Sequence, residues 1–120
     1  MNTEAIENSI NISGAPKLDG LSFRLLQDER DLPEMVRINE TLREAGQFPH
    51  VSSLADLSSW FQHPTNCDPT QDVLFALISG KAVGFTRVWW EEEETRPARI
   101  YYITLRVLPE WQGSGVDAAL

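Results

Sequence analysis

The chain has 120 residues, 42% hydrophobic and 23% charged, a balance that fits one globular domain and excludes a chain disordered throughout. Its 18 acidic residues outweigh 10 basic ones, and the resulting net charge of −8, with no cluster of basic residues, excludes partners such as nucleic acid or an anionic membrane surface. No apolar run reaches the roughly 18 residues a membrane span needs. The start, Met1-Asn2-Thr3-Glu4, shows neither the basic residues nor the apolar stretch of a secretory leader, and the single cysteine, Cys67, has no partner for an internal disulfide. A cytoplasmic location is the expectation.

Residues 1–20 read as a flexible tail. Asn2, Asn8, Asn11, Gly14, Pro16 and Gly20 punctuate it, and Ile6, Ile10 and Ile12 keep no helical face. Phe23 to Gln27 reads as a strand. Asp31 with Glu34 three residues on predicts a capped helix start, and Leu32, Met35, Val36, Asn39 and Leu42 follow at helical spacing up to Gly46, so a helix is expected over 31–45. Ser53 with Asp56 opens a second helix through Leu57 and Trp60, stopped by Pro64, and residues 65–70 read as loop. The run Val73 to Ile78 has the length of a strand buried on both faces. Ser79-Gly80-Lys81 predicts a tight turn, Val83 to Trp90 a paired strand, Glu91 to Pro97 a polar hairpin loop, and Ile100 to Val107 the next strand of an antiparallel meander. Tyr101, Ile103, Leu105 and Val107 then share one face. Gln112-Gly113-Ser114-Gly115 is a glycine turn, and Val116 to Leu120 opens a helix.

The glycine turn is the most informative stretch. A turn of this kind between strand and helix aims backbone N–H groups at one point and suits an anion, and glycines let a ligand come close. Two glycines that merely join strand to helix need no ligand, however. The spacing is neither that of a P-loop nor that of the dinucleotide fingerprint. In context, Val107-Leu108-Pro109-Glu110-Trp111-Gln112-Gly113-Ser114-Gly115-Val116 resembles the coenzyme A signature of the GNAT superfamily of N-acyltransferases. Phe23 to Leu26 resembles the first strand of that fold, and Ser79 to Phe85 the turn between its second and third strands, so the likeness spans residues 21–120.

The resemblance implies an α+β fold with a mixed, mostly antiparallel sheet and two helices after the first strand. It implies a partial domain, 21–120, whose C-terminal half is missing, because the chain ends one turn into a helix. It implies acyl transfer, acetyl or other, from coenzyme A to an amine of a small molecule or protein, with acetyl-CoA as donor and no metal. The alternative is a non-catalytic pseudo-domain or interaction module that packs on a partner domain. The strand matching Ile100 to Val107 is expected to splay at a bulge, where the backbone of Leu105 and Val107 meets the pantetheine arm. The turn from Gln112 through Gly113, Ser114, Gly115 and Val116 to Asp117 is expected to cradle the pyrophosphate. Asp117 departs from the pattern, which has Gly or Ala there, and brings a negative charge to that point.

Other residues carry groups suited to chemistry. Of Glu91 to Glu94, Glu91 lies nearest the strand end and is the candidate general base, although a charge run in a hairpin is ordinarily a solvated loop. Trp89-Trp90 and Tyr101-Tyr102 are expected to give one face to the core and the other to an acceptor cleft, with Tyr102 and Thr104 on one side of their strand. His50 and His63 are too far apart for a metal site, and Cys67 has no basic neighbour in sequence to activate it. An exposed strand edge and apolar face predict self-association, or cover by a second GNAT-like domain.

Overall fold

The computed structural model describes residue 10, residues 12–48 and residues 52–120; residues 1–9 and 11 of the expected tail, and His50, lie outside these. Strand β1 (Leu21–Leu25) leads through a short 3-10 turn into helix α1 (Leu32–Glu44), helix α2 (Leu54–Gln62) and a single helical turn, α3 (Pro69–Asp72). Strands β2 (Val73–Ile78), β3 (Lys81–Glu92) and β4 (Arg99–Val107) follow, and a 3-10 turn at Pro109–Trp111 precedes helix α4 (Val116–Ala119). The strands form one sheet in the order β1-β2-β3-β4, antiparallel throughout the described residues. This is the expected α+β arrangement, with two helices after the first strand.

Helix α1 forms because Leu32, Met35, Ile38 and Leu42 recur on one face, and all four are buried against the sheet. Gly46, at φ +78°, ends it: its N–H bonds to Arg43 and that of Gln47 to Leu42, which satisfies two terminal carbonyls. Helix α2 carries the expected capping box, with the Asp56 N–H donating to Ser53 Oγ and the Ser53 N–H to Asp56 Oδ2, both at 3.1 Å. Leu57 is its buried anchor.

Asp31 does not cap α1. It sits in helical backbone geometry without a cap bond, and its carboxylate turns back to Arg24 and to the Gln27 N–H. The nearby cap belongs to Asp28, which accepts from the Arg30 N–H. Residues 65–70 are not all loop either: Asp68 caps α3 by accepting from the Thr70 N–H at 3.0 Å.

In β2, Val73, Phe75, Ala76 and Leu77 are buried, as a strand covered on both faces requires. Ser79 (φ +51°) and Gly80 (φ +82°) make the two-residue turn into β3, with Ile78 opposite Lys81. Strands β3 and β4 stay in register from Gly84 opposite Val107 to Glu92 opposite Arg99. That unbroken ladder has two consequences. The expected bulge at Leu105–Val107 is absent from this pairing, and among the described residues the register shifts between β2 and β3 instead, where Val83 of β3 is the extra residue opposite Ala76 and Leu77. Glu91 and Glu92 are strand residues, not hairpin loop.

The described part of the expected tail is docked. Ile10 donates its N–H to the Phe23 carbonyl, and Ile10, Ile12, Ala15 and Leu18 pack on the core.

Candidate functional site

Successive side chains of a strand point to opposite faces, so β3 and β4 each present two rows. Phe85, Arg87 and Trp89 share one face with their partners Arg106, Thr104 and Tyr102. Helices α1 and α2 cover the inner part of that face. Between them lies a cavity of about 160 Å³ lined by Met35, Asn39, Ser52, Leu57, Phe85, Arg87, Thr104 and Arg106. Its polar side chains are hydroxyls, an amide and two guanidiniums, and among the described residues no carboxylate lines it.

Arg87 stands between two indoles, its guanidinium 5.2 Å from the Trp60 ring and 5.4 Å from the Trp89 ring. Its Nε is enclosed and has no hydrogen-bond partner among the described residues. Arg106 lies 3.8 Å over the Phe48 ring and donates to the carbonyl of Leu105. Burial pushes the Arg87 guanidinium down from its ordinary value against the pull of the Cys67 thiol. Burial, and then the Arg87 charge, do the same to Arg106. The sequence reading missed both arginines. Their signal was position: each occupies a slot of the row that carries Phe85, where alternation predicts an inward side chain. Cys67 has no basic neighbour in sequence, but the fold brings Arg87 near it.

The aromatic pairs are not core on either face. Trp89 and Trp90 are half-buried, Tyr101 and Tyr102 exposed, because the outer half of the β3–β4 hairpin runs past the helices. Instead they pack on one another and on cations: Trp89 stacks on Tyr102 at 5.4 Å, and Arg99 lies 4.0 Å over Trp90. Thr104, expected beside Tyr102, does line the cavity. Glu91 is exposed, opposite Ile100, four residues and about 13 Å along β3 from Arg87.

The glycine turn closes the far end of β4. Val107 is buried and Leu105 is 37% exposed on the same row. The β4 edge away from β3 has no strand partner among the described residues. Gln112 ties the turn down, with Nε2 donating to the Val107 carbonyl at 3.0 Å and to Gln47 Oε1 at 2.8 Å. Gly113 (φ +78°) and Gly115 (φ +100°) both take left-handed backbone. A Cβ at Gly115 would also lie 3.1 Å from the Pro16 side chain, a tight approach on top of the left-handed backbone. Ser114 Oγ donates to the Trp111 carbonyl at 2.6 Å, and Val116 is fully buried. Asp117 folds back over the turn: its Oδ2 accepts the Gly113 N–H at 3.3 Å and its Oδ1 the Ala118 N–H at 3.2 Å. One of the donors that an anion would use is thus held by the chain's own carboxylate.

No known family profile matches the chain, and no characterised protein matches it by sequence. Solved structures do resemble it. An aminoglycoside acetyltransferase from an uncultured soil metagenome, solved with sisomicin, aligns over 82% of this chain and 62% of its own, at 24% identity and a TM-score of 0.55. A GNAT family acetyltransferase of Staphylococcus aureus aligns over 82% of this chain and 70% of its own, at 17% identity and a TM-score of 0.53. An acetyltransferase of Trypanosoma brucei covers 83% and 68%, at 22% identity and a TM-score of 0.50. The chain therefore has the fold of the GNAT acetyltransferases, and it spans less than two thirds of the length of the metagenomic enzyme. Among the described residues no group of three or more His, Cys, Asp or Glu is placed to hold a metal, and no helix is long and apolar enough to cross a membrane.

Proposed function

We propose that this chain serves an acyltransferase that moves an acetyl group, or another acyl group, from coenzyme A to an amine. The observation that carries the reading is the turn with left-handed Gly113 and Gly115 joining strand β4 to α4, in a chain whose fold is similar to that of acetyltransferases. In this reading the backbone from Gln112 to Asp117 holds the pyrophosphate. The β4 backbone at Leu105 and Val107 runs along the pantetheine arm, and an N–H of that edge polarises the thioester carbonyl. The amine nitrogen attacks the carbonyl carbon, the C–N bond forms, the C–S bond breaks, and the thiolate leaves. The proton lost by nitrogen passes through water to Glu91, the carboxylate on the cavity's row of β3. An aminoglycoside acceptor is disfavoured: it is a polycation, and the cavity presents Arg87 and Arg106 and, among the described residues, no carboxylate. For partners, we propose that a second copy of the chain covers the exposed apolar strip on β4. A cytoplasmic setting suits the donor.

A second reading, a non-catalytic pseudo-domain or interaction module, is favoured by the Asp117 carboxylate on the Gly113 N–H. Calorimetric titration with coenzyme A and acetyl-CoA, paired with free-thiol release over a panel of amines, separates the two. Saturable binding lost in Gly115→Trp, together with turnover, supports the enzyme. Binding without turnover is what a partial acyltransferase domain is expected to give, and no binding at all overturns the enzyme.

A further inference from the structure

We propose that the cavity between α1, α2, β3 and β4 holds a carboxylate borne by the acceptor amine, gripped by Arg87 and Arg106; this deepens the acyltransferase reading and rests on it. The chain carries a net charge of −8, yet this cavity gathers two cations and, among the described residues, no carboxylate. The ion pairs of the described residues engage Arg24, Arg30, Arg37, Arg43 and Arg96, and neither cavity arginine is among them. A buried donor left unmade is costly, and Arg87 Nε is one. The rings of Trp60 and Trp89 flank the Arg87 guanidinium and the Phe48 ring lies against that of Arg106, and a guanidinium can meet a carboxylate with two N–H donors. The downward push that burial exerts on both guanidiniums is what an incoming anion relieves.

Size and side decide the source of the anion. The cavity's 160 Å³ gives room for a carboxylate on a short chain. Thr104 and Arg106 alternate with Leu105 and Val107 along β4 and so face away from them. Val107 shares its side of the sheet with Leu120, at the end of α4: both side chains come within 3.2 Å of a Cβ built on Gly84. The glycine turn feeds that side, and the arginines serve the other. The chain thus separates a donor side from an acceptor side, and the anion belongs to the acceptor. Asn39, Ser52 and Thr104 supply further polar contacts around it.

The test is calorimetric titration of the chain with succinate, inorganic phosphate and spermidine, with and without coenzyme A. Succinate is expected to saturate one site per chain, at least tenfold more tightly than in Arg87→Gln or Arg106→Gln. Arg106→Lys should fall between, and spermidine should not compete. Saturating coenzyme A should leave succinate affinity unchanged. The inference is overturned if succinate does not saturate, if both Gln variants bind it as the parent does, if phosphate binds the pair more tightly than succinate, or if coenzyme A competes with succinate. The last result would give the arginines to the donor's phosphates. Should Arg87→Gln lose its cooperative melt, the half-buried Arg106→Gln decides alone. Absent coenzyme A binding with succinate binding intact would defeat the acyltransferase reading, whereas the reverse would defeat only this inference.

Discussion

The guanidinium of Arg24 on β1 meets the carboxylate of Asp31 at the mouth of α1 with two parallel hydrogen bonds, 2.9 and 2.8 Å long. The same carboxylate accepts the Gln27 N–H at 2.8 Å, and Arg24 lies 5.2 Å over the Phe75 ring. One largely buried group therefore fixes the angle between the first strand and the first helix.

Asp31→Asn should cost about 1–3 kcal/mol, because it leaves a buried guanidinium and an N–H with a weaker acceptor. Burial alone would raise this carboxyl, but the Arg24 hydrogen bonds, the Gln27 N–H and the Arg24 charge outweigh it and hold it below its ordinary value of 3.8. The folded chain thus keeps the group ionised to lower pH than the unfolded chain does. Its contribution is whole above about pH 4 and is lost as pH falls through the folded value. Denaturant melts of parent and variant at neutral pH and near pH 3 check this: the gap between them should narrow in acid. A gap that stays constant would remove Asp31 from the acid response.

Gly84 faces Val107 where β3 and β4 come closest to α4. A Cβ there would lie 2.9 Å from the Arg106 carbonyl oxygen and 3.2 Å from both Val107 Cγ2 and Leu120 Cδ1. The backbone oxygen cannot yield without parting the ladder. Gly84→Ala should therefore cost about 1–3 kcal/mol, the range of an overpacked core, despite its added strand propensity. A thermal melt at or above the parent's would mean that the strands part at no cost.

The sequence was most legible where the cause was local. Leu32, Met35 and Leu42 announced the buried face of α1, Ser53 and Asp56 its neighbour's capping box, and Ser79-Gly80 the turn, because each signal lies within a few residues of its effect. It was least legible where the cause was a distant partner. Asp31 looked like a cap because Arg24, seven residues back in another element, is invisible to spacing. Trp89, Trp90, Tyr101 and Tyr102 looked half core because alternation gives the two faces of a strand but not how far the helices reach. Arg87 and Arg106 were overlooked for the same reason: a row becomes a cavity only when α1 and α2 stop short of filling it.

On β4, Ile103 is 70% exposed and Tyr101 61%, beside an edge without a strand partner among the described residues. Apolar side chains on an unpaired edge favour pairing with another chain, and a charge there opposes it. Light scattering should show association that grows with concentration, and Ile103→Lys should reduce it without lowering the melting temperature, since the side chain is mostly in water already. A parent that stays monomeric at high concentration would dismiss the second copy as the strip's cover.

Asp117 offers the sharpest test of the donor side. Its carboxylate accepts the Gly113 N–H at 3.3 Å, so any phosphate that takes that N–H must displace a like charge. At about 6 Å and an effective dielectric near 20, one phosphate charge is opposed by roughly 3 kcal/mol before screening. Salt and rotation of the side chain reduce this to about 1–2 kcal/mol, which is about tenfold in affinity. Asp117→Gly should therefore tighten coenzyme A binding about tenfold. It should also cost about 0.3–1 kcal/mol of stability, because a carboxylate in the first turn of α4 favours the helix start. Asp117→Asn keeps the shape and removes the charge, so it should recover most of the gain. In both variants the gain should shrink as salt rises, since screening already weakens the repulsion in the parent. Calorimetric titration with coenzyme A at two ionic strengths decides the matter: equal affinity in parent, Asn and Gly forms would mean that the phosphates do not pass over Gly113.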